Sequence, residues 1–166
     1  ATFTNDGSMT TGDVFENSWG GTFTNNGSIT SNGEFKNEKT FNNQGTITAN
    51  DDFTNGWSGN FTNGGDIDVS GDFTNQDTYS NTSGSDLDID GTLLNDWSCT
   101  LNNGGHMSID DAITNNGTIS NSDTMVIGNG FNNSAGSSTL NNTGTIIVDT
   151  DSNNYASVLN NGNVTG

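Results

Sequence analysis

Four aspartates in two pairs are the residues of this sequence best suited to chemistry. Asp66 and Asp68 stand two positions apart, as do Asp86 and Asp88. If the two segments are neighbouring parallel strands, the pairs lie about 4.8 Å apart and repel each other unless a cation lies between them. The sequence therefore predicts an optional Ca²⁺ site at these four carboxylates, with a solvated acidic stripe as the alternative.

The only histidine and the only cysteine offer no catalytic centre. His106 is predicted to face outward, so a serine or cysteine triad, which would have to centre on it, has no enclosed site. Solenoids that catalyse through clustered carboxylates use clefts built from long loops, and the corners of this chain are too short for a cleft. We therefore predict no catalytic residues and no enzymatic activity. Cys99 has no partner for an internal disulfide; we predict an inert buried thiol, with a link between subunits as the alternative.

A repeat of short alternating segments positions these residues. Large apolar residues recur at steps of mostly six, eight or nine, each between polar neighbours, and this two-residue alternation predicts very short strands rather than helices. We predict an all-β fold: one parallel β-solenoid, or β-helix, of triangular cross-section, forming a single domain over residues 1–166 with about eight coils of 18–22 residues. The coils start near the residues of the predicted core ladder, and a partial ninth starts near Leu159. This ladder consists of Phe3, Phe23, Phe41, Phe61, Tyr79, Leu101, Ile119 and Leu140.

Asparagine marks two of the three corners. It follows the inward apolar residue by two positions on the first and third faces. Asparagine tolerates left-handed backbone angles, and stacked copies can hydrogen-bond from coil to coil, so two asparagine ladders are predicted. Glycine often comes two residues later, where we expect positive φ. The predicted ladder residues are Asn5, Asn17, Asn25, Asn37, Asn43, Asn55, Asn63, Asn75, Asn81, Asn95, Asn103, Asn115, Asn121, Asn133, Asn142 and Asn161.

Longer third corners recur in alternate coils and carry the three tryptophans. Trp19, Trp57 and Trp97 each stand four residues after an inward apolar residue. Two interpretations are open: an exposed ridge that contacts carbohydrate or a partner, or a cap folded over the corner of the core. We favour the cap, since it buries apolar surface.

Threonine forms a column on the first face. A flat array of threonine methyls and hydroxyls can order water, as in ice-binding solenoids, but threonine also simply favours strands. The array is incomplete, since Asn and Ser replace threonine in several coils. The column consists of Thr2, Thr22, Thr40, Thr78, Thr100, Thr118 and Thr139 before the inward residue, and Thr4, Thr24 and Thr62 after it.

The strongly acidic composition restricts the partners. The formal net charge is −18, and Lys36 and Lys39 are the only basic side chains. Nucleic acid and anionic membranes would repel such a chain, so neither is an expected partner. No apolar run approaches the length of a membrane span, so no membrane insertion is expected. The sequence starts at Ala1 inside the repeat, which predicts a mature chain after signal-peptide removal, secreted or at the cell surface.

Three segments carry a resemblance to a known class of repeats. GTFTNNGSIT, GTITANDDFTN and ITNNGTIS resemble the Asn/Gly/Thr-rich repeats of secreted bacterial β-solenoids of the filamentous-haemagglutinin and autotransporter-passenger type. The resemblance covers nearly the whole chain and implies an extracellular triangular β-helix used for surface adhesion or fibre formation. The strict six-residue steps also resemble left-handed hexapeptide β-helices, so handedness stays open.

The two ends of the repeat predict how chains associate. Neither end shows a cap, and an unpaired strand edge is a template for another strand. End-to-end contacts that do not close into a ring give a fibre, so we predict a self-assembling filament subunit with an axial repeat of roughly 40 Å. The alternatives are a stalk fragment of an adhesin that binds carbohydrate or a host surface, and ice binding. No cofactor is predicted to be required. The predicted subunit interface consists of Thr2, Phe3, Thr4, Leu159, Asn161 and Val164.

Overall fold

Three parallel β-sheets wind into one solenoid in the computed structural model, which confirms the predicted all-β triangular β-helix. The structure describes residues 2–18, 20–134 and 136–149 in full, and after them the strand backbones at Asn153–Asn154, Ser157–Asn160 and Asn163–Thr165. All regular elements in these ranges are strands. Within the same ranges, no helix of the length and apolarity that a membrane span needs was found.

The first sheet contains nine strands, one from each successive coil. Its strands are short because an inward apolar residue is flanked by two outward polar ones before the chain turns at a corner. Neighbours pair in parallel and in register, so that Phe3 lies opposite Phe23, and Phe23 opposite Phe41. The strands are β1 (Thr2–Asn5), β4 (Thr22–Asn25), β7 (Thr40–Asn43), β10 (Asn60–Asn63), β13 (Thr78–Asn81), β16 (Thr100–Asn103), β19 (Thr118–Asn121), β22 (Thr139–Asn142) and β25 (Ser157–Asn160).

The second sheet also has nine strands and the third has eight. The second sheet consists of β2 (Ser8–Thr11), β5 (Ser28–Ser31), β8 (Thr46–Ala49), β11 (Asp66–Val69), β14 (Asp86–Ile89), β17 (His106–Ile109), β20 (Thr124–Ile127), β23 (Thr145–Val148) and β26 (Asn163–Thr165). The third consists of β3 (Phe15–Asn17), β6 (Phe35–Asn37), β9 (Phe53–Asn55), β12 (Phe73–Asn75), β15 (Leu93–Asn95), β18 (Ala112–Asn115), β21 (Gly130–Asn133) and β24 (Asn153–Asn154).

The predicted asparagine ladders line two corners, and among the described residues all of their members except the half-buried Asn17 are buried. In the first ladder, the Nδ2 amide of Asn25 donates to Oδ1 of Asn43 at 2.8 Å and to the backbone carbonyl of Thr46 at 3.0 Å. In the second, Asn55 Nδ2 donates to Asn75 Oδ1 at 2.9 Å. Each buried amide thus satisfies backbone groups that the tight corner leaves without a strand partner.

Glycine serves close approach at the first corner, and the expectation of positive φ there was wrong. Among the described residues, positive φ occurs at Ser58 and Ser98 and at Gly20, Gly84 and Gly130, and at none of the ladder asparagines. A Cβ on Gly45 would lie 1.9 Å from the carbonyl oxygen of Gly27. The backbones of the coils stacked at Gly27 and Gly45 therefore leave no room for a side chain. The same close contact repeats at Gly27 and Gly65.

The core changes from aromatic to aliphatic along the solenoid axis. In the first coils the rings stack directly, with centroids of Phe23 and Phe41 4.8 Å apart and planes at 6°. The third-face rings meet them edge-on, as Phe35 meets Phe41 at 5.3 Å and 77°. Beyond Tyr79 the same column continues as Leu101 and further aliphatic residues.

The side chain at a second inward position of the second sheet becomes larger along the axis, as aliphatic residues replace aromatic ones in the first-sheet column. It is held by buried Ser31 and Ala49 beside the phenylalanines, and by Val69 and then Ile89 further along. The apolar position therefore begins with Ala49 in the third coil. Small residues beside large rings and large residues beside leucine keep the core filled at nearly constant cross-section.

The start of the ninth coil differs from the prediction by one residue. The backbone pairing of β25 with β22 sets Val158 opposite Leu140, and Asn160 opposite Asn142. Leu159 lies opposite Asn141, so the predicted anchor at Leu159 was wrong. The 18-residue step from Leu140 to Val158 equals the step from Phe23 to Phe41, so this coil has the shorter of the regular lengths of the repeat. The predicted ladder residue Asn161 lies outside the described residues.

Candidate functional sites

The first coil presents an open edge in all three sheets. Its strands β1, β2 and β3 are the outermost strands of their sheets, each paired on one side only. The ring of Phe3 packs against Phe23 with centroids 4.8 Å apart and planes tilted by 30°, while 51% of Phe3 is exposed. Val14 is also exposed, and Met9 is only partly buried. The edge therefore combines unpaired backbone groups with apolar surface, the features of a strand-pairing template.

The asparagine ladders are polar and begin at this edge. Amides donate toward the later coils, so Asn5 Nδ2 bonds Asn25 Oδ1 at 2.8 Å. Within the described residues, Asn5 Oδ1 accepts only from the backbone amide of Gly7, at 3.3 Å. In the following coils the equivalent oxygen also accepts the amide of the preceding asparagine. The first coil therefore presents an acceptor that a preceding coil would use.

Gly7 and Gly12 at this edge differ in whether a neighbouring coil stacked on them would leave room for a side chain. Nothing lies within 4 Å of a Cβ built on Gly7 or on Gly12. One coil later, a Cβ on Gly27 would lie 2.0 Å from the oxygen of Gly7, so no side chain fits at this position of the second coil. Further along, the same column holds Ser85 and Asp123. The column of Gly12 continues instead with Asn32 and Asn50, whose side chains bond each other at 3.0 Å. A coil stacked before the first would thus clash with a side chain at Gly7 but not at Gly12.

Of the predicted interface residues near the other end, the structure describes the backbone placement of Leu159 and Val164. Val164 in β26 lies opposite Ile146 of β23. The strands β24, β25 and β26 are the last of their sheets. Thr2, Phe3 and Thr4 lie on β1, at the opposite end of the first sheet.

The four aspartates predicted to stack do lie in register. Asp66 is opposite Asp86, and Asp68 is opposite Asp88, on β11 and β14. All four point outward, and each is followed by a buried apolar residue. This register follows directly from the repeat, because each pair flanks an inward residue of the same column.

In the part of the chain that the structure describes, Asp86 and Asp88 form a cluster of possible ligand atoms with a histidine on the next strand and not with Asp66 and Asp68. His106 lies opposite Asp86 on the next strand, and its Nδ1 is 2.7 Å from Asp86 Oδ1. Ligand atoms of Asp86, Asp88 and His106 lie within 4.8 Å of one another; Asp66 and Asp68 belong to no such group among the described residues. The register alone could have located His106, one coil after Asp86. An imidazole with carboxylates suits Zn²⁺ or another transition metal better than Ca²⁺.

Asp88 is the carboxylate of this cluster whose pKa is shifted by its surroundings. Partial burial, then the charges of Asp86 and Asp68, raise the pKa of Asp88 above its ordinary value, and His106 opposes the shift. The side chains of His106 and Asp86 are 46% and 48% exposed, so water screens their interaction. The cluster can hold a cation chemically, and its half-exposed groups indicate weak binding.

Two tryptophans project from turns at the third corner, so the predicted cap was wrong for them. Trp57 is 65% exposed and Trp97 is 59% exposed. Trp19 lies outside the described residues. Each turn is closed by a backbone bond, from Gly59 to Gly56 at 2.8 Å and from Cys99 to Asp96 at 3.2 Å.

The predicted threonine column lies in register on the outward side of the first sheet. Thr22 is opposite Thr40, and Thr100 is opposite Thr118. In the fully described strands of this sheet, every outward residue is Thr, Ser or Asn. The second and third sheets carry outward charges, such as Asp68. The first sheet is thus the neutral face of a strongly acidic chain.

Cys99 is buried, as predicted. Its Sγ donates to the carbonyl of Trp97 at 3.3 Å, and burial raises the pKa of Cys99 to about 11. Thiolate formation is suppressed at neutral pH, which agrees with an inert thiol.

Searches against family models, curated proteins and solved structures found no match for this chain. The resemblance to secreted bacterial repeats therefore stays a prediction, and the function is argued from geometry and chemistry alone.

Proposed function

We propose that this chain is a structural subunit that assembles head to tail into an extracellular filament. The observation that carries the proposal is the half-exposed Phe3, whose ring packs tilted against Phe23 on one side and is open to solvent at the unpaired edge. A last coil of a second copy, placed against this edge, would bury the open ring face and supply backbone partners to β1, β2 and β3.

The polarity of the ladders supports the same contact. Among the described residues, Asn5 Oδ1 receives no asparagine amide of the kind that Asn25 Oδ1 receives from Asn5. A neighbouring copy whose final ladder asparagine donates toward Asn5 would continue the bonds without a change of direction. Each such amide bond is short and buried in the interior of the solenoid, where it contributes more than at an exposed surface.

The chemistry of the remaining surface supports a non-catalytic role outside the cell. The described carboxylates lie on flat sheet faces and corners, in short strands without a long loop between them. Lys36 and Lys39 are the only basic residues in the chain, so a trypsin-like protease has few sites. A net charge of −18 keeps filaments apart laterally, so that growth is confined to the ends.

Substitution of Gly7 tests the proposal. In the 166-residue chain, Gly7→Ala adds a Cβ to open space, so the monomer should keep its stability. A stacked neighbour would meet that Cβ as Gly7 O would meet one on Gly27, at about 2.0 Å, so assembly should be lost. Gly12→Ala is the matched control, since the next two coils carry the side chains of Asn32 and Asn50 at its position.

Electron microscopy and sedimentation velocity over a concentration series provide the measurement. We expect filaments from the wild-type chain and from Gly12→Ala, and single particles from Gly7→Ala at the same melting temperature. Wild-type protein that stays monomeric at the highest soluble concentration would refute the proposal, as would Gly7→Ala filaments equal in number and length to the wild type.

Ice binding is a second candidate, favoured by the neutral first sheet. The hydroxyls of Thr22, Thr40, Thr100 and Thr118 make no side-chain hydrogen bond within the described part of the chain. Thr22 and Thr40 lie on neighbouring strands, as do Thr100 and Thr118, so the hydroxyls of each pair are one strand spacing of about 4.8 Å apart. Such an array presents methyls and free hydroxyls at regular intervals, and no charge disturbs the water above it.

Freezing hysteresis tests this second candidate. Thr100→Lys places a charge in the centre of the neutral face, and Ser108→Lys places one on the second sheet as a control. We expect hysteresis in the wild type and the control, and its loss in Thr100→Lys. No hysteresis in the wild type would exclude ice binding and leave filament assembly untouched.

A further inference from the structure

We propose that Trp57 and Trp97 form one side of a binding ridge for a neutral, extended, β-1,4-linked polysaccharide. The ridge runs along the side of the solenoid at the third corner, so it goes beyond the proposed assembly at the ends and does not depend on it. The chain has three tryptophans, and in the sequence each stands four residues after the inward residue of a third-face strand in alternate coils: Trp19, Trp57 and Trp97.

The turns hold both indole side chains outside the core. Trp57 precedes Ser58, whose φ is +72°, and Trp97 precedes Ser98, whose φ is +63°. With the closing bond between the first and fourth residues, this is the pattern of a type II turn, which sets its second residue at the tip. A non-glycine residue at positive φ carries a cost of about 1 kcal/mol or more. The chain thus tolerates backbone strain twice at the residue that follows an exposed tryptophan.

The spacing of the ridge fits a polymer rather than a single sugar. The strands that precede the turns, β9 and β15, are separated by the single strand β12. Two strand spacings give about 9.6 Å between equivalent points of the two turns. In an extended β-1,4-linked pyranose chain, every second sugar presents the same ring face, and this disaccharide length is close to two strand spacings. Alternate sugars could therefore stack on successive tryptophans.

The intervening coil supplies polar groups between the two indoles. Its corner carries Gln76 and Asp77, and Asp77 Oδ2 accepts the backbone amide of Ser58 at 3.0 Å. The side chain of Gln76 makes no hydrogen bond within the described residues, although it lies at the same corner. An amide between two aromatic rings can bond the hydroxyls of the sugar that does not stack.

Charge decides which polysaccharides fit. Asp77 and Asp96 flank the turns, and the whole chain carries −18. Anionic chains such as uronates or sulfated glycans would be repelled. Neutral chains with equatorial linkages, a glucan or an N-acetylglucosamine polymer, share the required ring geometry and remain as the ligand class.

Isothermal titration with cellohexaose and chitohexaose tests the ridge, below the concentration at which sedimentation detects assembly. We expect one or both to bind, with Kd rising about tenfold in Trp57→Ala and in Trp97→Ala and about 100-fold in the double variant. Trp57→Tyr should retain most of the affinity. Leu94→Ala, at a partly exposed position on the third sheet, is the control and should bind like the wild type.

The pattern of binding identifies the source of the ligand. Preference for cellohexaose assigns a glucan, and preference for chitohexaose assigns an N-acetylglucosamine polymer; either supports the ridge. Laminarihexaose, whose β-1,3 chain curves, should bind at least tenfold more weakly. The proposal is overturned by three results: no binding of either β-1,4 hexasaccharide, equal binding of laminarihexaose, or full binding by a correctly folded Trp57→Ala/Trp97→Ala variant.

Discussion

The side-chain amide of Asn63 donates to Asn81 Oδ1 at 2.9 Å, one coil further along the chain. The same amide donates to the carbonyl of Asp86 at 2.9 Å, while Asn63 Oδ1 accepts from Asn43 at 2.8 Å and from Gly65 at 3.2 Å. One buried side chain therefore ties three coils together. Thr and Ser are too short to make all of these bonds from the same position.

Asn63→Ala should destabilise the protein more than any exposed asparagine substitution. The change leaves the Asn43 amide and the backbone groups at Gly65 and Asp86 without their buried partner, at a cost of about 2–4 kcal/mol. Chemical denaturation followed by circular dichroism measures it. Asn102→Ala, on the outer side of the first sheet, is the control and should change stability by less than about 0.5 kcal/mol. Equal effects of the two variants would contradict the structural role of the ladder.

Tyr79→Phe should stabilise the protein. The Tyr79 ring is fully buried and stacks on Phe61 at 5.4 Å, but among the described residues its hydroxyl has no hydrogen-bond partner. Removing an unsatisfied buried hydroxyl should add about 1 kcal/mol, or about 2–4 °C in melting temperature. Phe41→Tyr is the reverse control, since it buries a new hydroxyl in the same column, and it should lower the melting temperature. A drop in Tyr79→Phe would show that the hydroxyl has a partner.

Gly45→Ala should disrupt the first corner. The added Cβ would lie 1.9 Å from Gly27 O, and strand pairing on both sides prevents the backbone from moving away. We expect a loss of at least about 3 kcal/mol in unfolding free energy. Gly136→Ala, which has open space around the new Cβ, should be nearly neutral in the same denaturation experiment. A stable Gly45→Ala variant would mean that the stacked backbones can separate.

Much of this fold could be predicted because the alternation of residues, the coil length and the strand register all agree with one another. The alternation around Phe23 and Phe41 gives the strands, and their separation gives the coil. Once the coil is known, the register of Asp66 with Asp86 follows without further information.

The errors came from features that depend on exact backbone positions. Gly45 and Asn43 are residue types that tolerate left-handed backbone angles. The residue types alone could therefore not distinguish a left-handed turn from a corner where stacked backbones come close together. The exposure of Trp57 depends on positive φ at Ser58, a residue type that rarely adopts it. The coil length places His106 opposite Asp86, but a pattern defined by pairs of carboxylates does not include a histidine.

Asp88→Asn should raise the melting temperature at neutral pH. Burial and the carboxylates of Asp86 and Asp68 raise the pKa of Asp88, so the folded state holds this proton more tightly than the unfolded chain. The resulting stability is present below the ordinary aspartate pKa and is lost as pH rises through the raised pKa of the folded state. Asp88→Asn, uncharged at every pH, should therefore gain about 1–3 °C at pH 7 and less near pH 3. Asp13→Asn, in the first coil, is the control.

Cation binding at the same cluster should change the melting temperature in a way that can be measured separately from the effect of pH. If Ca²⁺ bridges the carboxylates, it should raise the wild-type melting temperature and have less effect on Asp88→Asn. If the imidazole is a ligand, Zn²⁺ should stabilise the wild type, and His106→Ala should lose the Zn²⁺ response while keeping any response to Ca²⁺. Melting curves with either ion at millimolar concentration, repeated with a chelator, separate the two ligand sets. Curves that superimpose with and without both ions would leave Asp66, Asp68, Asp86 and Asp88 as a solvated acidic stripe, held in register by the coils beneath it.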